Sequence, residues 1–339
     1  MSFIPRATFP QIDSIPRTYF LGHHKAGLSK MKEMLSRIDH VIECRDYRIP
    51  ATSINPVFEE ALGDKSRYIV YTKRDLGGDH APESQEREKL IRKWNKESRV
   101  FFASRFSSGT LKPIIDQLRS DDFKINSITG CRVLVVGMPN VGKSSLINNL
   151  RAYVDKKKAR AAKTGADPGV TRRVGAGLKL LQKEMYGVYL IDTPGVFVPY
   201  MPDSESMLKL ALCSCVKRSI IPPVTIADYL LYQINRAKQH PYHRFSKPTN
   251  EIIPLLESFA QKQGCLGKGG VPDIEAAARK FVYTYETGKM GAFVMDNVLE
   301  TTLKLKEERL AALGGSINQA KKAEKLAKAV PQVEKVETV

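Results

Sequence analysis

The chain has 339 residues, 42% hydrophobic and 27% charged, which is enough apolar material for the cores of two domains and too much for a disordered chain. Its 54 lysines and arginines against 36 acids leave a formal charge of +18, and such an excess points to a polyanionic partner, nucleic acid first. No apolar run approaches the roughly 18–20 residues that span a bilayer, so an integral membrane protein is excluded, and five scattered cysteines (Cys44, Cys131, Cys213, Cys215, Cys265) fit a reducing compartment better than a disulfide framework.

Along the chain, residues 1–19 come first, with Arg6 and Arg17 against the single acid Asp13 and several hydroxyls. That is the composition of a transit peptide, yet Pro5, Pro10 and Pro16 oppose the amphipathic helix such a leader forms, so an irregular N-terminal arm is the other reading. Leu28, Met31, Leu35 and Ile38 then fall on one helical face. Short apolar runs follow at His40–Cys44, Tyr68–Tyr71, Val100–Ala103, Val133–Gly137 and Val188–Ile191, separated in several places by helix-length polar segments. Strands alternating with helices predict an α/β unit with a mostly parallel sheet. From Ser204 the pattern turns helical. Ser204 and Thr225 are candidate caps, Pro272 suits the first turn of a helix carrying Ile274, Ala277, Ala278, Phe281 and Val282, and a last helix runs over about Leu299–Leu313 to the stop signal Gly314-Gly315. The predicted organisation is therefore an arm at 1–19, an α/β domain at 20–203, a smaller all-α domain at 204–313 and a basic tail at 314–339.

Gly137-Met138-Pro139-Asn140-Val141-Gly142-Lys143-Ser144 matches G-x-x-x-x-G-K-[ST], after an apolar strand and before the helical stretch Ser145–Leu150. In that setting the backbone N–H groups and the helix N-terminus face phosphates, Lys143 supplies a point charge and the Ser144 hydroxyl can ligate Mg²⁺. Asp192-Thr193-Pro194-Gly195 ends another strand, where Asp192 can hold Mg²⁺ through water and the Gly195 N–H can meet a γ-phosphate. Between the two lies Pro168-Gly169-Val170-Thr171, in which Thr171 can ligate Mg²⁺ only while the γ-phosphate is present, the logic of an order–disorder switch; a plain Pro-Gly turn is the alternative.

Thr72-Lys73-Arg74-Asp75 ends the strand Tyr68–Tyr71. Asp75 can accept from guanine N1–H and the exocyclic amine, a donor pair adenine lacks, while the Lys73 stem lies along the purine. Ser104 ends the next strand and could bring the Arg105 N–H to the guanine oxygen. A P-loop ATPase or small-molecule kinase is the rival reading, against which Asp75 speaks.

These five elements resemble the GTPase motifs, but the base-reading pair precedes the phosphate loop, as in the circularly permuted GTPases. Phe20-Leu21-Gly22-His23-His24, Glu43-Cys44-Arg45-Asp46-Tyr47-Arg48-Ile49-Pro50 and Gly288-Lys289-Met290-Gly291 are similar to further elements of the ribosome-assembly members. The resemblance covers roughly residues 18–300 and is nearest to the mitochondrial ribosome-associated branch and its bacterial relatives that mature the large subunit. It implies a permuted P-loop GTPase domain with helices on both faces of its sheet, GTP and Mg²⁺ as ligands, Val141, Gly142 and Ser145 among the phosphate contacts, and a mitochondrial matrix protein. The partner it implies is the large ribosomal subunit with its rRNA, and the chain is expected to act as a monomer; peripheral contact with the mitochondrial inner membrane, and a cytoplasmic location, stay open. Val196 stands where many small GTPases carry a water-orienting glutamine, a replacement that in this family accompanies potassium-stimulated hydrolysis with the phosphate-loop asparagine, here Asn140, on the ion. His23 matches the histidine the family implicates in catalysis. Four departures stand out: Leu21 for proline, His24 for methionine, Arg105 for a small residue, and Thr72 for the asparagine that tethers the base loop to the phosphate loop, from which a looser tether and modest affinity are expected. An RNA-binding assembly factor with a non-hydrolysing nucleotide site is the alternative function.

Two basic stretches are candidate RNA contacts. Arg151–Lys179 holds a net +7 around the switch candidate. Gln233–Pro248 interleaves Arg236, Lys238, Arg244 and Lys247 with Tyr242, Phe245, His240 and His243, rings that could stack on unpaired bases, or it is an ordinary connection between helices.

Overall fold

A computed structural model of the chain describes residues 3–17, 22–63, 65–78, 82–105, 107–120, 130–155, 177–182, 187–197, 201, 203–217, 219–304 and 308. One six-stranded sheet has the order β3-β2-β1-β4-β6-β5, built from β1 (His40–Asp46), β2 (Arg67–Thr72), β3 (Arg99–Phe102), β4 (Cys131–Gly137), β5 (Leu178–Gln182) and β6 (Gly187–Asp192). Every neighbouring pair is parallel except β5 with β6. Five strands are the apolar runs of the sequence; β5 is an addition at the sheet edge.

Strand periodicity puts Cys131, Val133 and Val135 of β4 on one face and Leu134 and Val136 on the other, and splits β2 in the same way into Tyr68 and Val70 against Ile69 and Tyr71. Both faces are covered, which is why these strands read as continuous hydrophobic runs. On one face lie α4 (Lys112–Arg119) and α5 (Lys143–Val154), burying Ile114, Ile115, Leu118, Leu146, Ile147 and Leu150. On the other lie α1 (Gly22–Met34), α2 (Pro56–Leu62) and α3 (Glu83–Trp94), which contribute Met31, Phe58, Leu62 and Ile91. Each such side chain adds about 1.5–3 kcal/mol relative to exposure. The face predicted over Leu28–Ile38 is a helix only to Met34; Leu35–Arg37 tighten into a 3₁₀ turn and Ile38 is already extended.

Four further helices follow the sheet: α6 (Ser204–Leu212), α7 (Pro223–Arg236), α8 (Ile252–Gln263) and α9 (Ile274–Glu286). Phe245, Phe259 and Phe281 stack edge to face through their core, with centroids 4.7 and 5.5 Å apart. The caps differ from the expected ones by up to three residues. Asp203, not Ser204, caps α6 by accepting from the Ser206 N–H at 2.6 Å, and Asp273, just after Pro272, caps α9 by accepting from Ala276 N–H at 2.8 Å. Thr225 lies inside the first turn of α7, which starts at Pro223. α8 was hidden by Pro254, tolerated because the first turn needs no N–H from it. Thr302–Lys304 are helical, while most of the predicted Leu299–Leu313 helix and the 314–339 tail fall outside the described residues. Residues 3–17 form no helix or strand and lie against α7.

Candidate functional site

The chain runs outward from β1 to β3, then returns to β4 on the other side of β1. Loops leaving the C-terminal ends on either side of β1 therefore diverge, and a crevice opens at this switch point, the usual ligand position in such sheets. Gly137–Ser144 lines one side of it. Gly137 passes so near β1 that a Cβ would sit 2.5 Å from the Cys44 carbonyl oxygen. Asn140 and Gly142 take left-handed backbone, with φ of 54° and 97°, which turns the loop into α5. Val141 is buried beneath the loop and Ser145 is exposed in the first turn of α5.

Lys143 is buried, its Nζ donating to the Met138 carbonyl at 2.8 Å, and burial pushes its ammonium below the ordinary range against the pull of Asp192. The Ser144 hydroxyl donates to Asp192 Oδ2 at 2.6 Å. Asp192 Oδ1 is buried with no hydrogen-bond partner, and burial raises this carboxyl above its usual value. Behind it, the Thr193 hydroxyl donates to Val135 O at 2.7 Å, Val196 N donates to Gly137 O at 3.2 Å, and a Cβ on Gly195 would lie 2.5 Å from Pro139 Cα. The Asp192–Gly195 loop is thus pressed on the phosphate loop, backbone to backbone.

The base loop comes to the same place. The Thr72 hydroxyl donates to the Val141 carbonyl and lies 3.2 Å from Arg45 O, so the threonine keeps the tether that was expected to loosen. Lys73, with φ of 57°, adds a second tether: its Nζ bridges Asn140 O at 2.6 Å and Asp46 Oδ2 at 2.9 Å. The two purine-reading candidates meet, Arg105 N–H donating to Asp75 Oδ1 at 3.1 Å. The Ser104 N–H donates to the Thr110 hydroxyl at 3.1 Å, and Ser104 Oγ is buried without a partner.

Sequence reasoning carried Asp46 only inside a family segment, with no role, and the structure makes it a junction. Burial alone would raise its carboxyl, yet Arg48, bonded at 3.0 and 2.8 Å, and Lys73 hold it well below the carboxylate range. The legible signal was the density of charge at a strand end. Glu43, Arg45, Asp46 and Arg48 are all buried, Glu43 pairing with Arg45 at 2.6 Å and Arg67 at 3.1 Å. The Gly288–Gly291 segment also finds its place: a Cβ on Gly288 would be 2.9 Å from Leu76, and one on Gly78 would be 3.0 Å from Ala292 O, so this segment lies on the base loop.

α1 crosses the acidic loop, Asp192–Val196. The Cα of Gly27 lets it approach until a Cβ would be 3.6 Å from Pro194 and 3.8 Å from Val196, and Val196 is buried beside Met31. His23 stands one turn before Gly27 on that helix; its side chain and that of His24 are outside the described residues, as are Leu21 and Thr171 with its whole loop. The Asn140 amide N–H donates to Ser214 O at 2.9 Å, which joins the phosphate loop to the connection between α6 and α7.

One basic stretch changes meaning. Tyr242 and Phe245 are buried, Tyr242 donating to the Asn235 side chain, so these rings belong to the helical core and are not free to stack on bases. The exposed groups there include Arg236, Lys238, Arg244, Lys247 and His243, the last stacked on His240 at 5.1 Å. Of Arg151–Lys179, residues 156–176 are outside the described ones.

A protein-family profile described as "50S ribosome-binding GTPase" matches residues 132–262, from β4 to α8, and leaves β1–β3 with the base loop outside, as a permuted order requires. In a comparison of folds, GNP-bound YlqF from T. maritima aligns with 79% of this chain and 97% of its own, at 25% identity and a TM-score of 0.51. Mitochondrial ribosome-associated GTPase 1 of Bos taurus is 33% identical over 316 residues, 87% of this chain and 92% of the relative. Mitochondrial GTPase 1 of Schizosaccharomyces pombe is 34% identical over 323 residues, 90% of this chain and 97% of the relative. The likeness runs through both halves of the crevice and on into the helices behind it, and by that extent the chain belongs to the mitochondrial GTPase 1 family: it is a P-loop GTPase of circularly permuted fold.

Proposed function

We propose that this crevice binds Mg-GTP and that its hydrolysis drives a step in assembly of the large subunit of the mitochondrial ribosome. The observation that carries the reading is the bridge from Lys73 Nζ to Asn140 O, because it holds the base loop and the phosphate loop as two ends of one site. In this reading Lys73 and Asp75, with Ser104 and the Arg105 N–H, hold the guanine; Asn140, Val141, Gly142, Lys143, Ser144 and Ser145 hold the phosphates; and the Gly195 N–H meets the γ-phosphate. The buried, unpartnered Asp192 Oδ1 beside the Ser144 hydroxyl has the hard-oxygen chemistry that Mg²⁺ takes, with Thr171 as the third candidate ligand. Mg²⁺ there supplies charge neutralisation on the β- and γ-oxygens. The Asn140 amide oxygen is the proposed ligand for K⁺. With Val196 buried in the core, orientation of the attacking water falls to His23 on α1.

The names of the relatives, mitochondrial and ribosome-associated, support a ribosomal partner in the mitochondrion. No helix among the described residues is long and apolar enough to cross a membrane. Residues 20–203 serve as the nucleotide domain and 204–313 as the helical domain that meets rRNA through its exposed basic groups.

Hydrolysis measured in KCl and in NaCl, with and without isolated large subunits, tests this. Turnover should rise in KCl and with the particles, lose its K⁺ dependence in Asn140→Ala, and lose its preference for GTP over ATP in Asp75→Ala. Equal turnover in both salts, or competition by ATP as strong as by GTP in the unaltered protein, would refute it.

A further inference from the structure

The first part of the N-terminal arm, Ile4–Phe9, is bonded to the helical part of the molecule. Arg6 forks onto Asp228 of α7, its two nitrogens 2.6 and 3.1 Å from the carboxylate oxygens. Its guanidinium lies over the rings of Phe9 and Tyr232, at 5.5 and 6.0 Å. Asn250 holds the backbone on both sides of Pro5, accepting from Arg6 N at 3.3 Å and donating to Ile4 O at 2.9 Å. Tyr232 donates to Ala7 O at 3.3 Å, and Phe9 sits edge-on to Tyr229 at 5.1 Å. Further along, Ile15 is buried in the main core and Arg17 O accepts from Met201 N at 2.8 Å. Only residues 18–21 then separate the arm from α1, whose Gly27 is seated on Pro194 and Val196 of the acidic loop.

We propose that residues 3–17 are a retained strap that ties α7 to the start of α1, with Arg6 and Asp228 acting as positioning residues for hydrolysis by setting α1 over the acidic loop. Its prolines at 5, 10 and 16 suit this use, since a strap must resist both coiling and shortening, and each fixes a backbone angle. A bidentate arginine–carboxylate pair gives the strap a defined end point, and that pair is half-buried, not on the open surface. Displacement of α7 on a partner is thereby delivered to the helix that bears His23. A transit peptide is absent from the mature protein, whereas removal of this segment would take Ile15 out of the core and Phe9 from its ring contact with Tyr229. The inference rests on the reading of α1 as the helix that serves hydrolysis.

Arg6→Ala and Asp228→Ala should each lower kcat for GTP about tenfold, since small misplacements of reacting groups act on rate, while affinity for GDP and for a non-hydrolysable GTP analogue stays within twofold. The exchanged pair Arg6→Asp with Asp228→Arg should restore most of the lost rate, which a general loss of stability would not allow. Intact-mass measurement of the protein recovered from mitochondria should show the arm present from Arg6 onward, and this holds whether or not a variant folds. Unchanged kcat in folded Arg6→Ala, or a mature chain that begins after Arg17, would overturn the proposal. His23→Ala tests the underlying reading separately: an inert His23→Ala beside an impaired Arg6→Ala retires the histidine and keeps the strap.

Discussion

In the proposed function the Gly195 N–H meets the γ-phosphate, and Gly195→Ala perturbs that contact with a single methyl group. The glycine does not use left-handed backbone, so alanine meets no conformational objection and the cost is purely one of space. The added Cβ would lie 2.5 Å from Pro139 Cα and 2.6 Å from Pro139 N, against about 3.5–4.0 Å for an unstrained contact between carbon atoms. Both neighbours are backbone atoms of a ring-locked residue, so the acidic loop must retreat by about 1 Å. Overpacking of this kind costs about 1–3 kcal/mol. The Val196 N–H bond to Gly137 O, already 3.2 Å, would not survive that retreat. A displacement of about 1 Å near reacting groups is worth roughly 100-fold in rate. Single-turnover hydrolysis should therefore fall by about two orders of magnitude, while GDP affinity, which does not use the Gly195 N–H, falls by less. Thermal melting of the nucleotide-free protein should shift down at the same time. Wild-type hydrolysis in Gly195→Ala, with an unshifted melt, would show that the two loops do not touch as described.

Two other perturbations probe the junction beneath the site. Asp46→Asn leaves the buried Arg48 and the half-buried Lys73 against a neutral amide, and breaking the buried pair with Arg48 costs about 3–5 kcal/mol at neutral pH by chemical denaturation. Because the folded carboxyl titrates below its unfolded value of about 3.9, its stabilisation is present above that value and is lost as pH falls through the folded one, so wild type and variant should converge in strong acid; a constant gap down to the acid limit would contradict the pairing. Thr72→Val keeps the shape and removes the donor to Val141 O, which leaves a buried carbonyl short of a partner at a cost of about 1–3 kcal/mol. GTP affinity measured by titration should weaken accordingly, and an unchanged affinity would assign the tether to Lys73 alone.

The elements that could be read from the chain are those whose physics is local. Parallel strands covered on both faces must be apolar throughout, so five of six were legible, and β5 escaped because a short edge strand, Leu178-Lys179-Leu180-Leu181-Gln182, carries no decisive period. The phosphate loop was legible for the same reason: its glycines, lysine and serine act within eight consecutive residues. Caps were misplaced where two competent residues stand side by side, Asp203 with Ser204, since only the backbone angles choose between them. The rings of Tyr242 and Phe245 looked available to nucleic acid because their basic neighbours are; a ring's burial depends on what packs over it, in this case Asn235 and Phe259.

Chemistry within one turn of chain is encoded by neighbours, so the residues alone pointed to the loops proposed for phosphate and magnesium and to a base loop that comes first. Long-range convergence is different, because it depends on which strands lie side by side. Only the tertiary structure could decide that Lys73 reaches Asn140, that Asp46 anchors Lys73, and that Arg6 finds Asp228 more than two hundred residues away. Each of those contacts costs chain entropy to close and is held by burial that no single segment supplies by itself.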